Sequence, residues 1–368
     1  MIILHAYSTN NSGDGLLVEL TKELSAEAGL GSSFKLVALD KESFPAEYDI
    51  YEPKIIKASA LGKIKQSITI CLGFVLGNNE LNGAIKYSQG EVIVAVGGGY
   101  LRAGTVIESI KTLLAQCPQL DWASRKTSSP TIYFSQSIGP LRGPVGWLLK
   151  KKLKNIDLIC ARDDRTIAEL GLPNVMRVPD LAVQELALEL RKDKVRQNNF
   201  EKVFLIARDV NVKGREKYIT RLKELKKLLP NVEPLLQSTG RGNNDEKFYQ
   251  DLGWGNSFRS VKEALATDKG IVISVRLHGS LQSMISGCPS IHLSYERKGF
   301  GAFEDLGIVE YCHGFKKFQP NLVVSQVEKL KLDSSDYWQS ASNSVESILK
   351  RREVLKAEIE KLVKDKSK

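Results

Sequence analysis

The sequence predicts two α/β domains, each a parallel sheet wrapped by helices, facing each other across a cleft. Three observations lead there. Short runs rich in valine and isoleucine alternate with helix-length segments almost throughout the 368 residues. The runs are unalternated, which suits strands buried on both faces rather than on one. The chain is also too long for a single ordinary core, and its 42% hydrophobic and 26% charged residues supply enough apolar material for two.

In the first half the predicted strands are 2–7, 34–39, 91–96, 131–135, 157–161 and 175–178, with helical patterns at 16–28 and 105–116 among others. The texture changes after Val178. Residues 184–200 (QELALELRKDKVRQNNF) are polar and charged and read as an interdomain linker. A second series follows: strand 202–207, helix 216–229, strand 232–236, helix 261–267, and strands 271–275 and 290–293. The expected division is therefore 1–185 for a first Rossmann-like domain, 186–200 for the linker, and 201–325 for a second Rossmann-like domain. Residues 326–368 should form C-terminal helices that pack back on the first domain. Val345, Ile348, Leu355, Ile359 and Leu362 recur there at helical steps, interrupted by Arg352.

Several function classes drop out early. The opening MIILHAYSTN lacks a basic leader and a cleavage site, and reads as the first strand. The most apolar window, Ser67 to Gly77, is well short of the roughly 20 residues needed to span a bilayer, and is expected to be a buried helix. Five scattered cysteines without C-x-x-C suit reduced, buried thiols in a cytoplasmic protein. Four histidines without metal-ligand spacing give no metal site. The net charge of +10 fits small anionic substrates, an anionic membrane face or nucleic acid. Nucleic acid is disfavoured because no basic patch is interleaved with aromatic residues. G-x-G-x-x-G, the phosphate-binding G-x-x-x-x-G-K-[ST] loop and G-x-S-x-G are all absent.

In open α/β sheets, ligands bind beyond the carboxyl ends of the strands. The chemistry-bearing residues gather at those predicted ends. Arg208 closes VFLIA, Arg276-Leu277-His278-Gly279 follows VISV, and Lys298 follows SIHLSYER. So placed, Arg276 and His278 flank Leu277 on an extended segment and face the amides of a helix opened by Gly279, a ready anion site. Three fixed cations suggest a multiply charged anion, and arginine forks hold phosphate and carboxylate oxygens in paired bonds. In the first half, Asp14, Gly97-Gly98-Gly99 and Gln136-Ser137 stand at strand ends too. Asp14 can equally be a helix cap, and His292, inside an apolar strand, reads as a core histidine.

In this order the residues carry a resemblance. N-x-G-D (Asn11 to Asp14), VGGG-x-L (Val96 to Leu101), SQSIGP (Ser135 to Pro140), ARDDRT (Ala161 to Thr166) and VPDLA (Val178 to Ala182) come first. Arg208, RLHG (Arg276 to Gly279), GCP (Gly287 to Pro289) and Tyr295 with Lys298 complete the series. Together they resemble the polysaccharide pyruvyl transferase family over nearly the whole chain. Two positions depart from its pattern: Gly15 stands where the family often has an acid, and Ser135 where it often has glycine.

The resemblance implies a glycosyltransferase-B-like fold and transfer of the pyruvyl group of phosphoenolpyruvate to two hydroxyls of a sugar, forming a cyclic ketal and releasing phosphate. It implies that Arg208 and Arg276-Leu277-His278 bind phosphoenolpyruvate; Lys298 is expected as a third cation and His278 as the proton-transfer group. Asp14, Gly98, Gly99, Gln136 and Ser137 are expected to face the saccharide acceptor. No cofactor is expected. A lipid-linked acceptor would give the basic surface a purpose at the inner face of a membrane, as a peripheral contact with anionic lipid. Two alternatives stand beside this reading: a sugar-nucleotide-dependent glycosyltransferase or epimerase of the same fold, and a non-catalytic saccharide-binding relative.

Overall fold

The structure is a computed structural model and describes residues 1–53, 81–126, 128–192, 198–210, 212–240 and 244–367. The Ser67–Gly77 window and Cys71 lie outside the described residues. The chain divides into two compact units. The first comprises Met1–Ser8, Leu17–Leu181 and Arg351–Lys368; the second comprises Thr9–Leu16 and Ala182–Lys350.

The first unit is built on seven parallel strands: β1 (Ile2–Ala6), β2 (Lys35–Ala38), β3 (Asp49–Tyr51), β4 (Ile93–Ala95), β5 (Thr131–Gln136), β6 (Leu158–Ala161) and β7 (Val175–Arg177). Their order is β3-β2-β1-β4-β5-β6-β7. The chain winds outward from β1 one way and then restarts at β4 the other way, so the order reverses between β1 and β4. That reversal is the switch point at which doubly wound sheets leave a crevice. β1, β4 and β5 are buried along their whole length, as unalternated apolar runs require when helices cover both faces.

The second unit has five parallel strands: β8 (Lys202–Ile206), β9 (Glu233–Pro234), β10 (Gly270–Ser274), β11 (Ser290–Ser294) and β12 (Cys312–Gly314). Their order, β12-β11-β10-β8-β9, is the 2-1-3-4-5 arrangement read from its other edge. Here the reversal falls between β8 and β10, which pair along five residues. Both units are thus Rossmann-like.

Two sequence expectations change, and one departure from the family pattern finds its structural reason. Residues 184–191 are not linker: Leu181–Arg191 is a helix, and Leu186, Ala187 and Leu190 are buried at helical spacing. Glu185, Glu189 and Arg191 lie on its less buried side while Gln184 is fully buried, a pattern that composition alone cannot distinguish from a loop. Arg352 does not interrupt the C-terminal helix Val345–Lys366: it is buried and its Nη2 donates to Glu27 at 2.8 Å within the first unit. Ser135 takes a left-handed backbone (φ 46°), the region that favours glycine, where the family often has glycine. Its hydroxyl accepts a bond from the Leu181 amide at 2.9 Å, a compensation glycine could not make.

Candidate functional site

Within the second unit the strand ends at the β8/β10 switch point carry the charge. β10 ends in Ser274, whose hydroxyl donates to the Arg276 carbonyl at 2.8 Å and accepts from its amide at 3.1 Å. This clamp fixes Arg276 in an extended conformation as the residue that precedes helix Leu277–Ile285. His278 therefore lies in the first helical turn, not on an extended segment with Arg276; the helix opens at Leu277 rather than at Gly279. Leu277 itself is buried in the core.

The Arg276 side chain is only 6% exposed, and its Nη2 donates to the carboxylate of Asp245, itself 1% exposed. Asp245 opens helix Asp245–Asp251 and accepts two backbone bonds, from Ser238 at 2.9 Å and Gln237 at 3.2 Å. The helix is anchored by Tyr249, whose hydroxyl accepts from the Ala207 amide at 2.8 Å and donates to Leu235 at 2.9 Å, on both sides of β8 and β9. Arg276 is therefore a charge held in place by a paired acid. Its Nε and the Gln237 Oε1 are buried with no hydrogen-bond partner among the described residues. Buried polar atoms are rarely left so; the unfilled Nε–H of the guanidinium fits a site for an anion, and the Gln237 oxygen fits a hydroxyl or other donor.

Thr9–Leu16 follows β1 in sequence but belongs to this unit. It is laid against the loop after β9 by an antiparallel bridge between Asn11 and Ser238, with Ser12 N donating to Gln237 O at 3.1 Å and Thr239 N to Asn10 O at 3.1 Å. Asn11, not Asp14, caps the helix Ser12–Glu27: its side chain accepts from Gly13 N at 3.2 Å and its amide holds Asp14 Oδ2 at 2.9 Å. Gly13 packs so closely that a Cβ there would stand 2.8 Å from His278 Cβ and 2.9 Å from Gln237 Nε2. Glycine is required because the backbone passes directly over the histidine.

Asp14 so placed shares the field of His278, Arg276 and Lys298. Burial pushes its carboxyl above the ordinary carboxylate range, although His278, Arg276, the Asn11 bond and Lys298 pull the other way. Arg208 follows β8, with its guanidinium 5.6 Å from the Tyr295 ring centroid and its carbonyl accepting from Tyr218 at 3.0 Å. Lys298 lies in the first turn of helix Arg297–Asp305 and pairs with Glu296 at 2.8 Å. His292 is a core residue: its Nδ1 is 2.8 Å from the Ser274 carbonyl and its ring stacks on Phe303. Burial holds its imidazole down at about 3.

The first unit gathers Gly98, Gly99, Gln136 and Ser137 at the ends of β4 and β5. The glycine run is tied to β5 by Ser137 N donating to Gly98 O at 2.8 Å. Gln136 is fully buried, and its amide donates to the carbonyls of Val96 at 3.0 Å and Phe134 at 2.8 Å. That geometry makes it a brace for the glycine turn. Ser137 donates to Asp163 at 2.5 Å and accepts from Arg162 Nε at 2.8 Å, and Arg162 is held in turn by Asp180 at 2.5 Å. The family motifs SQSIGP, ARDDRT and VPDLA thus meet in one buried network. Among the described residues no group of three His, Cys, Asp or Glu side chains is placed to hold a metal ion, and no helix is long and apolar enough to cross a membrane.

The sequence reading singled out Arg208, Arg276, His278 and Lys298, but missed Asp245 and Gln237. Both sit at the carboxyl side of β9, a two-residue strand, in the polar run QSTGRGNND. That polar run at a strand end was the available signal.

Comparison with known proteins bears on both fold and family. Among solved structures, the glycotransferase of kitacinnamycin aligns with 98% of this chain and 98% of its own, at 11% identity and a TM-score of 0.50. This likeness supports the glycosyltransferase-B-like fold and nothing finer. UDP-GlcNAc 2-epimerase from Neisseria meningitidis bound to UDP-GlcNAc aligns with 95% of this chain and 99% of its own, at 13% identity and a TM-score of 0.48. No curated protein matches the sequence. The family profile described as polysaccharide pyruvyl transferase matches residues 11–297, from the Asn11 cap to the start of the Arg297 helix. That match spans both sets of strand ends, and the chain belongs to the polysaccharide pyruvyl transferase family, a family of transferases.

Proposed function

We propose that the protein is a ketal pyruvyltransferase that moves the pyruvyl group of phosphoenolpyruvate onto two hydroxyls of a sugar in a cell-surface polysaccharide or its lipid-linked precursor, releasing phosphate. It would act in the cytoplasm, with a peripheral contact at the inner face of the membrane. The observation that carries this reading is Arg276, a buried guanidinium fixed by Asp245 with an unfilled Nε, in the common field of His278, Asp14 and Lys298.

Phosphoenolpyruvate carries a carboxylate and a phosphate. Arg276 and Arg208, at the adjacent ends of β10 and β8, suit its two anionic ends. In the proposed sequence a proton adds to C3, making C2 cationic, and a first sugar hydroxyl bonds to C2 and loses its proton. The C2–O bond to phosphate then breaks, with the electron pair leaving on phosphate. The second hydroxyl closes the ring and gives up its proton. Two hydroxyl protons are released, one proton enters the methyl group and one ends on phosphate, so the products are the ketal carboxylate and hydrogen phosphate. His278 supplies or accepts these protons, being the histidine in the charged cluster and of a residue type that serves in general acid–base catalysis. Gly98, Gly99, Gln136 and Ser137 are assigned to the acceptor side, Gln136 by bracing the glycine turn; Asp14, which belongs to the second unit with His278 and Arg276, is assigned to the point where an acceptor hydroxyl meets the donor.

The deciding measurement is calorimetric titration with phosphoenolpyruvate beside a sugar nucleotide, on the native protein and on Arg276→Ala and Arg208→Ala. Binding of phosphoenolpyruvate that is lost in both variants is expected. Binding of the sugar nucleotide alone would overturn the reading in favour of a glycosyltransferase or epimerase.

A further inference from the structure

We propose that a tryptophan-centred basic patch on the first unit docks on an anionic lipid surface. The patch lies on two neighbouring helices, Val106–Ala115 and Gly143–Leu153. Their approaches run side by side, joined by a parallel bridge between Ala103 and Leu141, with Ala103 N donating to Pro140 O at 2.8 Å and Arg142 N to Ala103 O at 3.0 Å. The helices therefore begin next to each other.

At that end three large apolar side chains face solvent: Val106 at 75%, Ile107 at 67% and Trp147 at 65% exposed. Single exposed apolar residues are ordinary; three of them within the first five residues of adjacent helices are not. The inward face of Gly143–Leu153 is satisfied without Trp147. Gly146, Leu149 and Leu153 are buried, and a Cβ on Gly146 would lie 2.4 Å from the Leu141 backbone. Core packing thus gives no reason for an indole on the opposite side.

The surroundings of the indole select the partner. Lys151, one turn on from Trp147, sits over its ring at 5.3 Å. Lys154 continues the same face, Arg142 precedes the helix, and Lys111 lies one turn on from Ile107; all are exposed. None of these four cations has an ion-pair partner among the described residues. By contrast Lys152, on the inward side, is paired with Asp121 at 2.5 Å. Glu108, the acid of the first helix, has its carboxylate turned back on the Gly104 and Thr105 amides at 3.1 Å each. An apolar centre with an indole, ringed by unopposed cations, is the pattern of a surface that sinks into a headgroup layer and is attracted by anionic lipid. A protein partner would ordinarily bring carboxylates spaced to match; the lysines and arginine here follow helix periodicity and need only a uniform negative plane.

This inference names the surface behind the peripheral-membrane part of the proposed function and rests on that part, not on the donor chemistry. Its test uses lipid and no substrate, so its failure leaves the phosphoenolpyruvate reading where it stood. The full chain is floated with vesicles of equal phosphatidylglycerol and phosphatidylcholine, and with phosphatidylcholine alone. Binding to the mixed vesicles only is expected, with a blue shift of tryptophan emission. It should weaken about fivefold for each patch cation neutralised. Arg142→Glu/Lys151→Glu/Lys154→Glu should abolish it, and Val106→Ser/Ile107→Ser/Trp147→Ser should remove both binding and shift. The charge-matched control Lys350→Glu/Lys361→Glu/Lys364→Glu, on the exposed side of the C-terminal helix, should bind nearly as the native chain does. Equal loss in the control would reduce the effect to net charge and overturn the proposal. So would vesicle binding that survives the serine variant. A serine variant that changes sedimentation rather than flotation would assign the patch to a second copy of the chain, and overturn it too.

Discussion

The arrangement around Arg276 makes a sharp demand on Asp245. Both side chains are buried, and Asp245 is the acid that compensates the guanidinium while accepting the Gln237 and Ser238 amides. Removing one partner of such a pair leaves an uncompensated charge and costs about 3–5 kcal/mol, whereas replacing both with apolar groups of similar volume is often neutral or stabilising. Asp245→Ala should therefore lower the melting temperature of the second unit by about 6–20 °C, at 2–4 °C per kcal/mol for a domain of this size. Arg276→Met alone should cost a comparable amount, because Asp245 is then buried alone. The double variant should recover most of the loss, giving a coupling of at least about 2 kcal/mol, within the range found for residues in direct contact. Asp245→Asn, which keeps an acceptor and loses the charge, should fall between. Unfolding of a chain with two units need not be two-state. The cycle is therefore best read by hydrogen exchange at the buried amides of β8 and β10, which report the stability of the unit that holds the pair. Additive single effects, with a coupling below about 0.5 kcal/mol, would refute the claim that the acid holds the arginine.

Three further outcomes follow from the same geometry. His278→Ala should lower phosphate release by about 10²–10⁴-fold with a much smaller effect on melting temperature, since the residue as a whole is only part-buried; near-native turnover would remove His278 from the chemistry. Gly13→Ala should reduce turnover through the 2.8 Å clash with His278 Cβ while leaving the helix intact, and an unaffected rate would show that this approach is slack. His5 is buried in the first unit between Gln116 at 2.6 Å and Tyr133 at 3.0 Å, and its imidazole is held down from 6.5 to about 4. The unfolded chain binds that proton first, so stability present above pH 6.5 is lost as the pH falls toward 4, by about 3 kcal/mol. His5→Gln should flatten the stability profile in that window; an unchanged slope would contradict it.

The fold was legible wherever a strand is long and central. β1, β5, β8, β10 and β11 are runs of branched apolar residues buried on both faces, and periodicity finds them. The edge strands β3 and β12 have three residues each, and their sequences (DIY, CHG) carry no pattern long enough to register; β9, with two residues, lies inside the longer predicted strand 232–236. Site cations were legible for the same reason, because they follow the strong strands. Their partners were not. Asp245 comes from a helix after β9, and Glu296 lies two residues before Lys298, where the sequence suggests an unopposed cation. Asp14 was expected on the acceptor side, yet Thr9–Leu16 is built into the second unit. That relation depends on backbone pairing of Asn11 with Ser238, which no local sequence feature announces.

Those partners change the electrostatics of the proposed chemistry, and with it the expected role of Asp14. Three bare cations would hold a trianion tightly in every state. Instead Arg276 is matched by Asp245 and Lys298 by Glu296, while Asp14 adds a carboxyl already pushed upward by burial. A bound anion must raise the proton affinity of Asp14 further, because a like charge disfavours its ionised form. Binding and protonation are then linked in both directions: phosphoenolpyruvate should take up a proton on binding, and its affinity should rise as the pH falls through the range where Asp14 titrates. Asp14→Asn removes the like charge and should tighten phosphoenolpyruvate about fivefold or more, since a unit charge at 4 Å is worth about 1 kcal/mol even in bulk water. The same variant should lose turnover, because the group that takes up the proton is gone. Titration calorimetry in buffers of different ionisation enthalpy measures the uptake directly, and comparison with Asp14→Asn separates it from protons on the ligand and on His278. Weaker binding in Asp14→Asn, or proton uptake equal to that of the native chain, would show that Asp14 does not share the field of the bound anion.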